Sequence, residues 1–82
     1  MGTKRISAIP PAYRKSVEKK LRDLSKAIQC RREEMGLTQE ELAEKLDISV
    51  ISLQYIEQNR RFPSLPRLVF ICEYLKLPIS FE

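Results

Sequence analysis

Apolar residues recur along the first third of the chain at Tyr13, Val17, Leu21, Leu24, Ile28 and Met35. At ~100° per residue these six fall within an arc of ~80°, one narrow stripe on one helix, with Lys, Arg and Glu on the other faces. Pro10 and Pro11 precede the stripe, and proline is tolerated in the first turn, so a helix is predicted from about Ala12 toward Met35. Ser25 offers an alternative, because serine is a poor interior residue and a good N-cap and could split the segment in two. Gly36 is a stop suited to left-handed dihedrals. Thr38-Gln39-Glu40-Glu41 then has the spacing of a capping box, opening a second helix with Leu42, Ala43 and Leu46 inward.

Asp47 tolerates the left-handed region and marks a turn, and Ser49 is the next N-cap candidate. A third helix is predicted from there through Glu57 or Gln58, with Leu53 and Ile56, and Ile48 just ahead, facing the core. Asn59 suits a left-handed C-cap. After the turn Arg60-Arg61-Phe62-Pro63, Ser64-Leu65-Pro66 opens a fourth helix in which Leu65, Leu68, Ile71, Cys72 and Leu75 recur at three- and four-residue spacing until Pro78 stops it. Ile79-Ser80-Phe81-Glu82 follows as a stub. No repeat and no β-alternation interrupts this all-α pattern. The expected organisation is a flexible tail over 1–11 and a single domain over 12–82.

At 82 residues the core must be small. Apolar runs fall short of the ~20 residues of a membrane span, and Ile6-Ser7-Ala8-Ile9 is too short for the apolar part of a signal peptide, so a cytoplasmic protein is expected. Two cysteines, Cys30 and Cys72, and no histidine leave no zinc ligand set and no cysteine–histidine nucleophile pair. Both thiols are expected to stay reduced. With no glycine-rich phosphate loop either, no enzyme, metal, cofactor or small-molecule ligand is expected. The net charge of +4 suits a polyanion partner, yet it is uneven: residues 1–35 carry +6, residues 36–58 carry −4 and residues 59–82 carry +2. Positive charge flanks an acidic centre.

Two short helices over 39–46 and 49–58, joined by about three residues, have the dimensions of a helix-turn-helix, the motif spanning 38–58. Gly36-Leu37-Thr38-Gln39-Glu40-Glu41-Leu42-Ala43-Glu44-Lys45-Leu46, Ile48-Ser49, Ile56-Glu57 and Arg61-Phe62-Pro63-Ser64-Leu65 resemble the phage repressor and Cro regulators, the XRE family, over roughly 24–81. The resemblance implies a lambda-repressor-like domain of four to five helices, here with an extended first helix, that binds double-stranded DNA. It implies that Thr38 and Gln39 hold a phosphate, where free N–H groups and the helix dipole attract anions. It also implies that Asn59, Arg60 and Arg61 follow the DNA backbone, and that Arg32 and Glu57 form an ion pair tying the first helix to the end of the third.

By the same resemblance, Val50, Ile51, Ser52, Gln54 and Tyr55 occupy base-reading positions. Val50 and Ile51 depart from the usual polar residues there and can read only thymine methyls, while Gln54 can pair with adenine, which points to an A/T-rich half-site. Val50 lies ~60° from Leu53 and is alternatively half in the core. The apolar face could instead dock a protein, as in an antitoxin-like or adaptor subunit. Phe70 and Tyr74, with Ile79 and Phe81, are candidates for a two-fold interface, or else they cover the long first helix. The expected function is a repressor acting as a homodimer on a two-fold operator, with its reading helices about 34 Å apart.

Overall fold

The computed structural model describes residues 9–78. Within them lie four helices: α1 (Pro11–Glu34), α2 (Gln39–Leu46), α3 (Val50–Glu57) and α4 (Leu65–Tyr74). Among the described residues none forms a strand, and no helix is long and apolar enough to cross a membrane. The all-α reading therefore stands.

α1 is one continuous helix, so Ser25 does not cap a second one. Pro11 opens it at a position where a missing N–H costs nothing. Ser25 points inward at 3% exposure, and its hydroxyl finds no hydrogen-bond partner. The apolar stripe is buried only in part. Ile28 is fully buried and Leu24 packs against the core, but Val17 and Leu21 are half-buried, while Tyr13 is 64% and Met35 38% exposed. Helical periodicity gives a direction, and α1 outruns the helices that could cover it at either end.

All four helices end the same way. The N–H two residues past the C-terminal turn reaches back five residues, in Leu37→Arg32, Ile48→Ala43, Arg60→Tyr55 and Leu77→Cys72. The N–H before it reaches back three, in Gly36→Glu33, Asp47→Glu44, Asn59→Ile56 and Lys76→Glu73. This is the Schellman motif, which requires one left-handed residue per helix. Gly36, Asp47, Asn59 and Lys76 supply it, with φ of 71°, 57°, 58° and 57°. Lys76, then, and not Pro78, ends α4.

The core comprises Ile28, Leu42, Ala43, Leu46, Leu53, Ile56, Ile71, Cys72 and Leu75. Leu65, expected inward, is 63% exposed, because at the first position of α4 it stands beyond the edge of that core. Burial in this core pushes the Cys72 thiol up, whereas Cys30 is exposed; both are free. Arginines finish the helix ends: Arg31 Nε donates to the Leu75 carbonyl at 2.9 Å and Arg67 Nη1 to the Leu46 carbonyl at 3.1 Å.

One ion pair joins α1 to α3. Arg32 Nε donates to Glu57 Oε2 at 2.7 Å and Arg32 Nη2 to Glu57 Oε1 at 3.2 Å, a bidentate fork. The side chains are 11% and 4% exposed. The hydrogen bond to Glu57 raises the Arg32 pKa further above its ordinary value.

Two stability outcomes follow from these contacts. Ser25→Ala removes an unbonded buried hydroxyl and improves helix propensity, and is expected to stabilise the protein by about 1 kcal/mol. That corresponds to a melting temperature higher by about 4–8 °C; a lower one would show that the hydroxyl is needed. Glu57→Ala strands the Arg32 guanidinium and is expected to cost about 3–5 kcal/mol in urea unfolding, with Arg32→Ala/Glu57→Ala costing less than the two single changes together. Strict additivity would contradict the coupling.

Candidate nucleic-acid interface

α2 begins with a complete capping box. Thr38 Oγ1 accepts from the Glu41 N–H at 3.1 Å, and Glu41 Oε1 accepts from the Thr38 N–H at 2.8 Å. That backbone donor, with the Thr38 hydroxyl, holds the Glu41 carboxyl below its ordinary pKa. A depressed carboxylate pKa contributes stability above the unfolded value, and the contribution is lost as the pH falls through the folded one. Two of the free donors at this terminus are thereby used, leaving the N–H groups of Gln39 and Glu40 without an intrahelical acceptor.

Gln39 occupies the first helical position, and its side chain faces the junction. Its Nε2 donates to Glu57 Oε1 at 3.0 Å, and its Oε1 accepts from Gln54 Nε2 at 3.3 Å. Arg32, Gln39, Gln54 and Glu57 thus form one hydrogen-bonded cluster in which Glu57 accepts from both Arg32 and Gln39. The Arg32–Glu57 pair had a counterpart in the sequence reading. The two glutamine contacts had none, since residues 15 and 18 positions apart on different helices carry no local signal.

Ser49 caps α3 by accepting from the Ser52 N–H at 3.0 Å, and donates its own proton to Ser52 Oγ at 2.9 Å. With Leu53 and Ile56 in the core, the helix turns Ile51, at 57% exposure, and Ser52 outward. Gln54 and Tyr55 are half-buried. Val50 packs partly against the core, as its angle to Leu53 suggested.

The loop after α3 closes over Tyr55. The guanidinium carbons of Arg60 and Arg61 lie 5.2 and 5.8 Å from the ring centroid. Cation–π attraction acts at such distances. In the Schellman motif the residue two past the C-cap touches the third residue from the helix end, usually through apolar atoms; here that contact is Arg60 on Tyr55. Asn59 is exposed and supplies the left-handed turn that puts Arg60 there.

Of the interface candidates, Phe70 is 44% exposed and Tyr74 half-buried against the core, with ring centroids 6.4 Å apart and tilted by 56°. Ile79 and Phe81 lie outside the described residues. Phe62, Pro63, Leu65 and Leu68 share the lining of a groove with Val17 and Leu21.

A helix-turn-helix family model matches residues 28–81, more than half of the chain. No curated protein and no solved structure gives a significant match. The matched segment holds α2, α3, α4, the cluster around Glu57 and the last turns of α1. The chain belongs to the XRE-type helix-turn-helix family of DNA-binding transcription regulators.

Proposed function

We propose that α3 enters the major groove and reads base edges while residues at the ends of α2 and α3 hold the adjoining phosphates. The observation that carries this reading is the outward face of α3. Its inner residues Leu53 and Ile56 anchor it, Glu57 pins its end, and Ile51 and Ser52 are exposed beside half-buried Tyr55, on whose ring two guanidinium groups lie. A helix of this kind fits the major groove, which is about 12 Å wide.

Ile51, with the outer edge of Val50, packs on thymine methyls. Gln54 spends one N–H on Gln39, which leaves its second N–H and its carbonyl oxygen for the paired contact that recognises adenine. The half-site is therefore A/T-rich. Thr38 and Gln39 bring a phosphate to the unused N–H groups at the start of α2. Asn59, Arg60 and Arg61 follow the backbone beyond α3. Two copies, meeting through Phe70 and Tyr74, bind a two-fold operator as a cytoplasmic repressor, with 12–82 acting as one binding domain.

Binding to mixed-sequence duplex should weaken with salt, with a log–log slope near 0.9 per phosphate neutralised. Arg60→Ala should weaken all sequences alike, whereas Gln54→Ala should flatten the preference for A·T at one position by about 1–3 kcal/mol. Affinity that ignores salt would move the exposed Ile51 face from DNA to a protein partner and overturn the reading.

A further inference from the structure

The charge of this protein does not reside in its helix-turn-helix. Residues 28–81 carry seven Lys and Arg against eight acids, while residues 1–27 carry eight Lys and Arg against two acids. A segment of net charge −1 is a poor partner for a polyanion, so Arg60 and Arg61 leave a share of the sequence-independent DNA affinity to be supplied from outside it.

α1 concentrates the missing charge on one side. Lys15, Lys19, Arg22 and Lys26 are spaced by four, three and four residues, which brings them within an arc of ~60° along ~17 Å of helix. All four are exposed. Lys19 is shared with Asp23 at 2.7 Å, a solvent-exposed pair of little energetic weight. Lys20 and Arg14 lie off this row, and Arg14 donates instead to the Ile9 carbonyl at 3.0 Å.

The row has a definite place relative to α3. Glu18 and Arg22 line one groove together with Asn59 and Arg60, and nearly three turns further along the same helix Arg32 reaches Glu57 at the end of α3. The flank of α1 that bears Arg22 therefore runs beside the loop that carries Arg60. Its ~17 Å matches five base-pair steps at 3.4 Å each.

We propose that the N-terminal half of α1 is a second phosphate-binding surface, in which Lys15, Lys19, Arg22 and Lys26 grip the DNA backbone adjoining the stretch held by Arg60. It rests on the duplex-binding reading above. It supplies affinity without sequence preference, leaving discrimination to α3.

The test compares two triple variants of equal charge. Lys15→Gln/Arg22→Gln/Lys26→Gln removes three cations of the row; Lys20→Gln/Lys45→Gln/Lys76→Gln removes three exposed cations elsewhere. Glutamine retains helix propensity, and circular dichroism verifies folding. On mixed-sequence duplex the row variant should lower the salt slope by about 0.9 per cation, so that the parent's advantage shrinks by about 40-fold per protomer between 50 and 200 mM salt. The control variant should keep the parental slope, and the row variant should keep the parental ranking of sequences. Equal slope losses in both variants would reduce the effect to net charge and overturn the proposal. So would an unchanged slope in the row variant, or a row-dependent affinity seen only with anionic phosphatidylserine vesicles. A parent protein that itself binds duplex without salt dependence would sink the duplex-binding reading instead, which keeps the two failures apart.

Discussion

A carboxylate that is 4% exposed and sits at the end of a two-turn helix must be fully paired, and the arrangement of the motif depends on this requirement at Glu57. Its two oxygens accept from Arg32 on α1 and Gln39 on α2. Each donor comes from a different helix, so satisfying one residue sets the position of α3 against two others. Apolar packing through Leu53 and Ile56 supplies attraction but little direction. The charge-assisted bonds add the direction, because a guanidinium fork tolerates only a narrow range of approach.

The helices themselves are too short to persist alone, since α2 and α3 have eight residues each. Their ends compensate. Thr38 and Ser49 cap the starts, and a left-handed residue closes each end with two backbone bonds. The termination of α3 also has a functional bearing, because Asn59 turns the chain so that Arg60 lies over Tyr55. The residue that ends the helix is thus also the residue that aims a cation beside its outer face.

Chain-local chemistry made most of this legible in the sequence. Thr38 with Glu41, Ser49, Gly36, Asp47 and Asn59 each act within a few residues of themselves, and the boundaries of α2 and α3 follow from them. Depth was not legible in the same way. Periodicity aligned Tyr13, Met35 and Leu65 with the buried stripe, but whether another helix reaches that far is a tertiary matter, and all three are exposed. Pro78 was the conspicuous stop for α4, yet Lys76 took the left-handed turn first, a conformation for which lysine gives no warning. Arg31 and Arg67 acting on distant carbonyls, and Gln39 meeting Gln54, depend on the packed fold and leave no trace in spacing. Of the candidate site, the partial burial of Val50 followed from its helix angle to Leu53, whereas the outward placement of Ile51 and Ser52 came from the family resemblance, and Tyr55, in the same implied set, is half-buried under the loop.

The central claim is that α3, pinned by Glu57, presents its outer face to duplex DNA. Amide chemical-shift mapping of the full chain against a mixed-sequence duplex of about twenty base pairs, two helical turns, tests it most directly. The account predicts shifts clustered at residues 38–40, 50–55 and 59–61, with a further set along 15–26 where α1 meets the backbone. Shifts that leave 50–55 unmoved while the protein binds, or that gather around Phe70 and Tyr74 alone, would contradict it.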